Sequence, residues 1–326
     1  MRWLIKRVTL SSLLAVGLLT QLAAGAPFRS FRIPTSNSQP VYITLGPDGN
    51  MWFTEALANQ IGRIDPMGNI TEFVVPQADS APMHIVAGAD GALWFTEASG
   101  FPEGIGRITT DGVFTGFAPD CAGGQPCSLT PQGIAATPDG YIWFTDFISN
   151  SVVKLDPSTG TMTFFRIPTN GSPAGITLGP DGALWFAEPN GGQIGRMDTA
   201  GNFTMFGPVS GVNGADRITT GPDGNLWFTQ PFDNMIGRIT PSGVITQFTL
   251  PTASSQPRDI VAGPDGNLYF TEPPLNELAQ ITPDGVVTQV QSIRPAGTPW
   301  GIARGLGNAL WLTQSDANKI SRYQVP

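Results

Sequence analysis

The chain has 326 residues, 17 basic against 25 acidic side chains and a formal net charge of −8. A surface this acidic excludes the cationic footprint that nucleic acid or an anionic membrane surface requires. The 40 glycines and 30 prolines would signal disorder if scattered, but most stand at fixed turn positions beside apolar runs, which is the pattern of a folded domain.

The first segment, 1–26, carries Arg2, Lys6 and Arg7 ahead of an uncharged apolar run from Val8 to Leu19, then the small residues Ala24, Gly25 and Ala26. This order predicts a secretory signal peptide and a secreted protein, extracellular or periplasmic. The run is shorter than the ~20 residues of a membrane-spanning helix, so an uncleaved anchor is the lesser alternative, and no later stretch is apolar enough to cross a membrane. Removing the segment leaves 14 basic against 25 acidic residues, a net charge of −11.

Residues 27–326 are one domain built from a repeat. Its aromatic anchors are Trp52, Trp94, Trp143, Trp185, Trp227, Tyr269 and Trp311, spaced 42, 49, 42, 42, 42 and 42 residues apart. Each copy reads like the first. Pro40 to Leu45 forms a strand, the turn Gly46-Pro47-Asp48-Gly49 reverses the chain, and Met51 to Thr54 forms a second strand. Gln60 to Ile64 and Ile70 to Val75 supply a third and a fourth. Proline presets the turn backbone and glycine accepts the left-handed conformation at its end. The second strand is apolar at consecutive positions, so both its faces are covered, as they are when four-stranded blades stand side by side around an axis.

The last copy stops after three strands, ending near Tyr323. Its missing fourth strand is Ser30-Phe31-Arg32-Ile33-Pro34, which matches Thr163-Phe164-Phe165-Arg166-Ile167-Pro168. The expected fold is therefore all-β, a seven-bladed β-propeller with four antiparallel strands per blade, closed by the N-terminal strand completing the last blade. Its expected assembly is a monomer. The one long interval puts two extra residues after Glu97 and five around Cys121 and Cys127. Both insertions open on one end of the ring, the candidate functional face. The two cysteines, in an exported chain with no others, predict a local disulfide.

Each inner strand opens with Pro-x-x-Ile or its equivalent, placing two variable residues at the channel mouth. Tyr42 and His84 come from blades one and two, Asp216 and Arg217 from blade five, Arg258 and Asp259 from blade six, and Trp300 from blade seven. This polar arc with an aromatic floor suits a small molecule, glycan or peptide. The plain structural alternative is an ion pair between Arg258 and Asp216 across adjacent blades. His84 is the sole histidine, and a lone histidine is more often structural than catalytic.

A second ring follows each anchor by three residues: Glu55, Glu97, Asp146, Glu188, Gln230, Glu272 and Gln314. Its carboxylates are candidate ligands for a hard cation, Glu97 and Glu272 foremost. The structural alternative is that they cap backbone groups or pair with arginines such as Arg63 and Arg107. No nucleophile elbow, phosphate loop or paired-cysteine metal motif is present.

Copies of the form Leu226-Trp227-Phe228-Thr229, Asn234-Met235-Ile236-Gly237-Arg238-Ile239-Thr240 and Gly243-Val244-Ile245-Thr246-Gln247-Phe248-Thr249-Leu250-Pro251 resemble the virginiamycin B (streptogramin B) lyase family over all seven blades. The resemblance implies a magnesium-assisted lyase that linearises a cyclic depsipeptide antibiotic by carbon–oxygen elimination. It also implies a histidine after the proline of blade six and another in blade seven, with glutamates two residues before the latter and just past the second strand. Those positions hold Arg258, Trp300, Thr298 and Ser315, with Gln314 adjacent, and none matches. The expectation is a family propeller whose activity is lost or altered, or a non-catalytic binding module. A calcium-dependent lactone hydrolase of the gluconolactonase type is a third reading, but the carboxylate and asparagine set it needs cannot be assembled from this chain.

Overall fold

The computed structural model describes residues 28–99, 104–119, 128–209, 211, 214–293 and 297–326. The expected signal segment and the cysteine pair Cys121 and Cys127 lie outside the described residues. Seven antiparallel sheets of four strands each account for the rest, and the one helical segment among the described residues is the 3-10 turn Pro273–Leu275. Blade one comprises Pro40–Leu45, Met51–Glu55, Gln60–Ile64 and Ile70–Val74, in that order from the axis outward. The inner strands touch in sequence around the axis, and that of blade seven, Pro299–Arg304, meets that of blade one. Closure follows the expected three-plus-one scheme: Phe28–Arg32 pairs antiparallel with Lys319–Gln324, in a register that sets Phe28 against Tyr323 and Arg32 against Lys319.

Each second strand is buried along its whole length, as in Leu226–Gln230, because a neighbouring blade covers either face. Trp227 packs against Leu268 and Phe270 of the following blade. Glycine opposite the second-strand phenylalanine makes room for that ring; a Cβ on Gly237 would stand 2.0 Å from Phe228. At the far end from the mouth, the turn aspartate accepts the anchor indole N–H, with Asp223 Oδ1 3.0 Å from Trp227 Nε1. The same aspartates receive the third-strand arginines. Arg107 Nε lies 2.7 Å from Asp90 and Arg196 Nε 2.6 Å from Asp181, with Arg63 4.0 Å from Asp48. The expected pairing of Arg63 and Arg107 with the carboxylate ring is thereby corrected: both arginines reach the opposite end of the blade.

Candidate functional site

The mouth is built by a distortion that the repeat encodes. In blades one, two, three and seven the ladder slips between the strand-opening proline and the isoleucine three residues on, as between Pro40 and Ile43. Such a bulge leaves its residues out of the ladder and re-aims them, here into the channel. In every blade but the fourth, which has Ala187, a threonine of the second strand holds the backbone at this mouth position. Thr229 Oγ1 accepts the Arg217 N–H at 3.2 Å and donates to the Arg258 carbonyl of the next blade at 3.2 Å. Thr313 closes the ring in the same way, accepting from Gly301 and donating to the Val41 carbonyl. This staple was open to discovery in the recurring Trp-Phe-Thr, whose threonine is polar on a strand buried on both faces.

The predicted mouth residues come together as two layers. In the upper one, Arg258 pairs with Asp216 at 3.0 Å and lies over the Trp300 ring, 4.4 Å from its centroid. In the lower one, Arg217 of blade five donates from Nε to the Tyr42 hydroxyl of blade one at 2.9 Å, so two nearly opposite blades are tied across the bore. The Tyr42 and His84 rings meet tilted by 39°, with centroids 3.7 Å apart. Below this tie a cavity of about 340 Å3 runs down the axis past Asp259 to Leu45 and Arg304. The arc expected to be contiguous is thus split, with Asp216, Arg258 and Trp300 outside the tie and Tyr42, His84, Arg217 and Asp259 bordering the bore.

Electrostatics follow from depth. Burial and the positive charges of Arg217 and Arg258 hold His84 well below the usual histidine range, so the ring is neutral. Its Nδ1 contacts the Gln132 carbonyl, which assigns the proton to Nδ1 and leaves Nε2 an acceptor without a protein partner among the described residues. Asp259 keeps half-buried surface along the bore, yet burial within the ring pushes it up to about 6, against the N–H groups of Ile302 and Ile260 and the charge of Arg217.

The second ring is buried rather than exposed around a mouth: Glu55, Asp146, Glu188 and Glu272 are 0% exposed and Glu97 6%. The capping alternative holds where partners are explicit, since Asp146 accepts the N–H groups of Thr130 and Ser149 and Glu188 accepts the Thr169 hydroxyl. Glu97 and Glu272 stand in separate blades, and no three His, Cys, Asp or Glu side chains among the described residues are grouped to hold a metal ion. Burial pushes Glu97 up to about 7 and Glu55, beside Glu72, up to about 8. These carboxyls bind their proton more tightly folded than unfolded, where the carboxyl range is about 4. The stability they contribute is complete below about pH 4 and is lost as pH rises through the folded values. Thermal melts are therefore expected to give a higher Tm at pH 5 than at pH 8.5, with Glu55→Gln flattening the slope; a Tm that climbs across this window contradicts the assignment.

The positions where the resemblance places a base and cation ligands are occupied otherwise. Arg258 and Trp300 stack on each other, the Thr298 hydroxyl contacts Asp316, and the Ser315 hydroxyl donates to the Pro40 carbonyl at 2.6 Å. Gln314 donates to Ser321 at 2.9 Å. A guanidinium and an indole offer no oxygen to a hard cation, so this set does not fit magnesium.

Seven blades around a tied bore, six of them carrying the second-strand threonine and four a bulged inner strand, define a seven-bladed propeller with its candidate site at one mouth. The chain belongs to the virginiamycin B lyase family, whose model matches residues 11–211 and again 128–326. Among solved structures it is similar to a streptogramin B lyase, at 34% identity and TM-score 0.84, covering 92% of this chain and 97% of that one. A virginiamycin B lyase from Staphylococcus aureus is 32% identical with TM-score 0.83, covering 92% and 99%. A catalytically inactive histidine-to-alanine variant of the Staphylococcus aureus enzyme with quinupristin is also 32% identical, with TM-score 0.81 and coverage of 92% and 100%. No curated protein sequence matches.

Proposed function

We propose that this chain is a secreted member of the family in which metal-assisted carbon–oxygen elimination has been lost and the mouth serves as a binding site for a small polar ligand. One observation carries the reading: the implied base and metal-ligand positions hold an arginine and a tryptophan stacked 4.4 Å apart, with the arginine pinned by Asp216. Elimination next to a carbonyl needs a base and a stabiliser for the developing enolate. Arginine stays protonated and serves as no base. His84 is held neutral by burial in blade two, with its one free nitrogen enclosed. The relative described as catalytically inactive lacks a single histidine side chain, which supports the weight given to its absence here. What remains suits recognition, because Arg258 offers a fixed cation to a carboxylate or carbonyl oxygen above the Trp300 face.

Incubating the protein and magnesium with a type B streptogramin is expected to leave the cyclic antibiotic unchanged by mass spectrometry. Efficient conversion to an isobaric linear product overturns the loss of activity. Binding is checked by thermal shift against small carboxylates, peptides and glycans: a ligand that raises Tm is expected to lose its effect in Arg258→Ala and Trp300→Ala. Affinity that survives both changes places the site elsewhere. N-terminal sequencing of exported protein checks cleavage within residues 24–26.

A further inference from the structure

We propose that a groove in blade two, away from the bore, binds an organic ammonium group, with the Glu97 carboxylate meeting the charge and Phe95 and Phe114 meeting its carbon substituents. The groove exists because one copy of the repeat omits a side chain. Across the third strand from each second-strand carboxylate or amide stands a fourth-strand residue, set opposite Gly62, Gly106, Val153, Gly195, Gly237, Ala279 or Ser321. It is Glu72 in blade one, Phe164 in three, Met205 in four, Gln247 in five, Gln289 in six and Ser30 in seven. In blade five this residue covers its partner directly, with Gln247 Nε2 2.6 Å from Gln230 Oε1. Blade two alone has glycine, Gly116, and a Cβ there would meet no atom within 4 Å.

The consequence is a cavity of about 340 Å3 lined by Val75, Pro76 and Gln77 on one side, Phe114 to Ala118 on the other, and Phe95, Gly106 and Glu97. Glu97 is 6% exposed where Glu55, Glu188 and Glu272 are fully buried, so its carboxyl alone among these four reaches a groove. Among the described residues the Ser80 hydroxyl is set against it, and burial holds it up to about 7. Phe95 and Phe114 meet edge to face, with centroids 6.3 Å apart. A buried carboxylate short of partners gains most from a cation, and phenyl rings attract one further. A single carboxylate is too little for a divalent metal, which makes an ammonium with apolar substituents the matching class.

Isothermal titration calorimetry with 2-phenylethylammonium tests this. Saturable binding is expected in the parent, weakened at least tenfold in Glu97→Gln. It is expected to vanish in Gly116→Gln, which supplies on the blade's outer strand the side chain that blades five and six carry and is expected to melt no lower than the parent. Affinity should rise about tenfold between pH 6 and pH 8 as Glu97 ionises, and 3-phenylpropionate should not bind. Arg258→Ala should bind as the parent does, which separates this groove from the mouth. Absence of saturable binding overturns the proposal, as does equal affinity in Glu97→Gln or in Gly116→Gln, or loss in Arg258→Ala.

Discussion

Trp227→Ala is expected to destabilise the propeller by about 3–5 kcal/mol, the range for emptying a large aromatic site in a core that cannot collapse. The indole is fully buried, stacked on Phe248 at 5.6 Å, and packed against the next blade. A cavity there therefore loosens two blades at once. The change also strands Asp223, whose Oδ1 accepts the indole N–H at 3.0 Å. The repeat supplies its own control. Tyr269 occupies the equivalent place in blade six and donates its hydroxyl to Asp265 at 2.9 Å, so Trp227→Tyr keeps the polar contact and should cost well under half as much. Chemical denaturation measures both; equal losses would show that neither the retained ring nor the retained polar contact matters at this site, and a loss below about 1 kcal/mol for alanine would refute the interlocking of blades.

The same comparison of copies explains what was legible in the sequence. Turn, anchor aromatic and strand order recur at 42 residues, so ring, blade count and closure follow from pattern alone. Asp216, Arg258 and Trp300 were legible as neighbours because equal repeat positions in adjacent blades must stand side by side. The Tyr42 to Arg217 tie was not, since contact between nearly opposite blades depends on bore width and side-chain length, which no period encodes. Glu55 and its equivalents showed their spacing but not their burial, because the covering residue lies on the fourth strand, where copies vary most. Gly116 against Gln247 and Gln289 was the available signal, visible only once the third-strand register aligned them.

The other large effect is expected at the tie. Arg217 is 7% exposed and balances Asp216 at 3.5 Å while donating to Tyr42. Arg217→Met removes one partner of a buried charge set, and about 3–5 kcal/mol of stability is expected to go with it. Tyr42→Phe leaves Arg217 Nε without its acceptor and should cost about 1–3 kcal/mol. Once Arg217 is methionine, the tyrosine hydroxyl has no donor to receive, so the double variant must cost less than the two losses together; strict additivity in a double-mutant cycle would deny the bond. An independent readout comes from His84. It is the sole histidine, so its ring protons are identified in an NMR spectrum without assignment. The charge of Arg217 is the second cause, after burial, of its depressed pKa. Arg217→Met should therefore move that titration upward toward the ordinary histidine range while burial keeps it from arriving. If it stays where it was, Arg217 does not set the potential of the bore, and the tie is a packing contact rather than the electrostatic floor beneath Arg258 and Trp300.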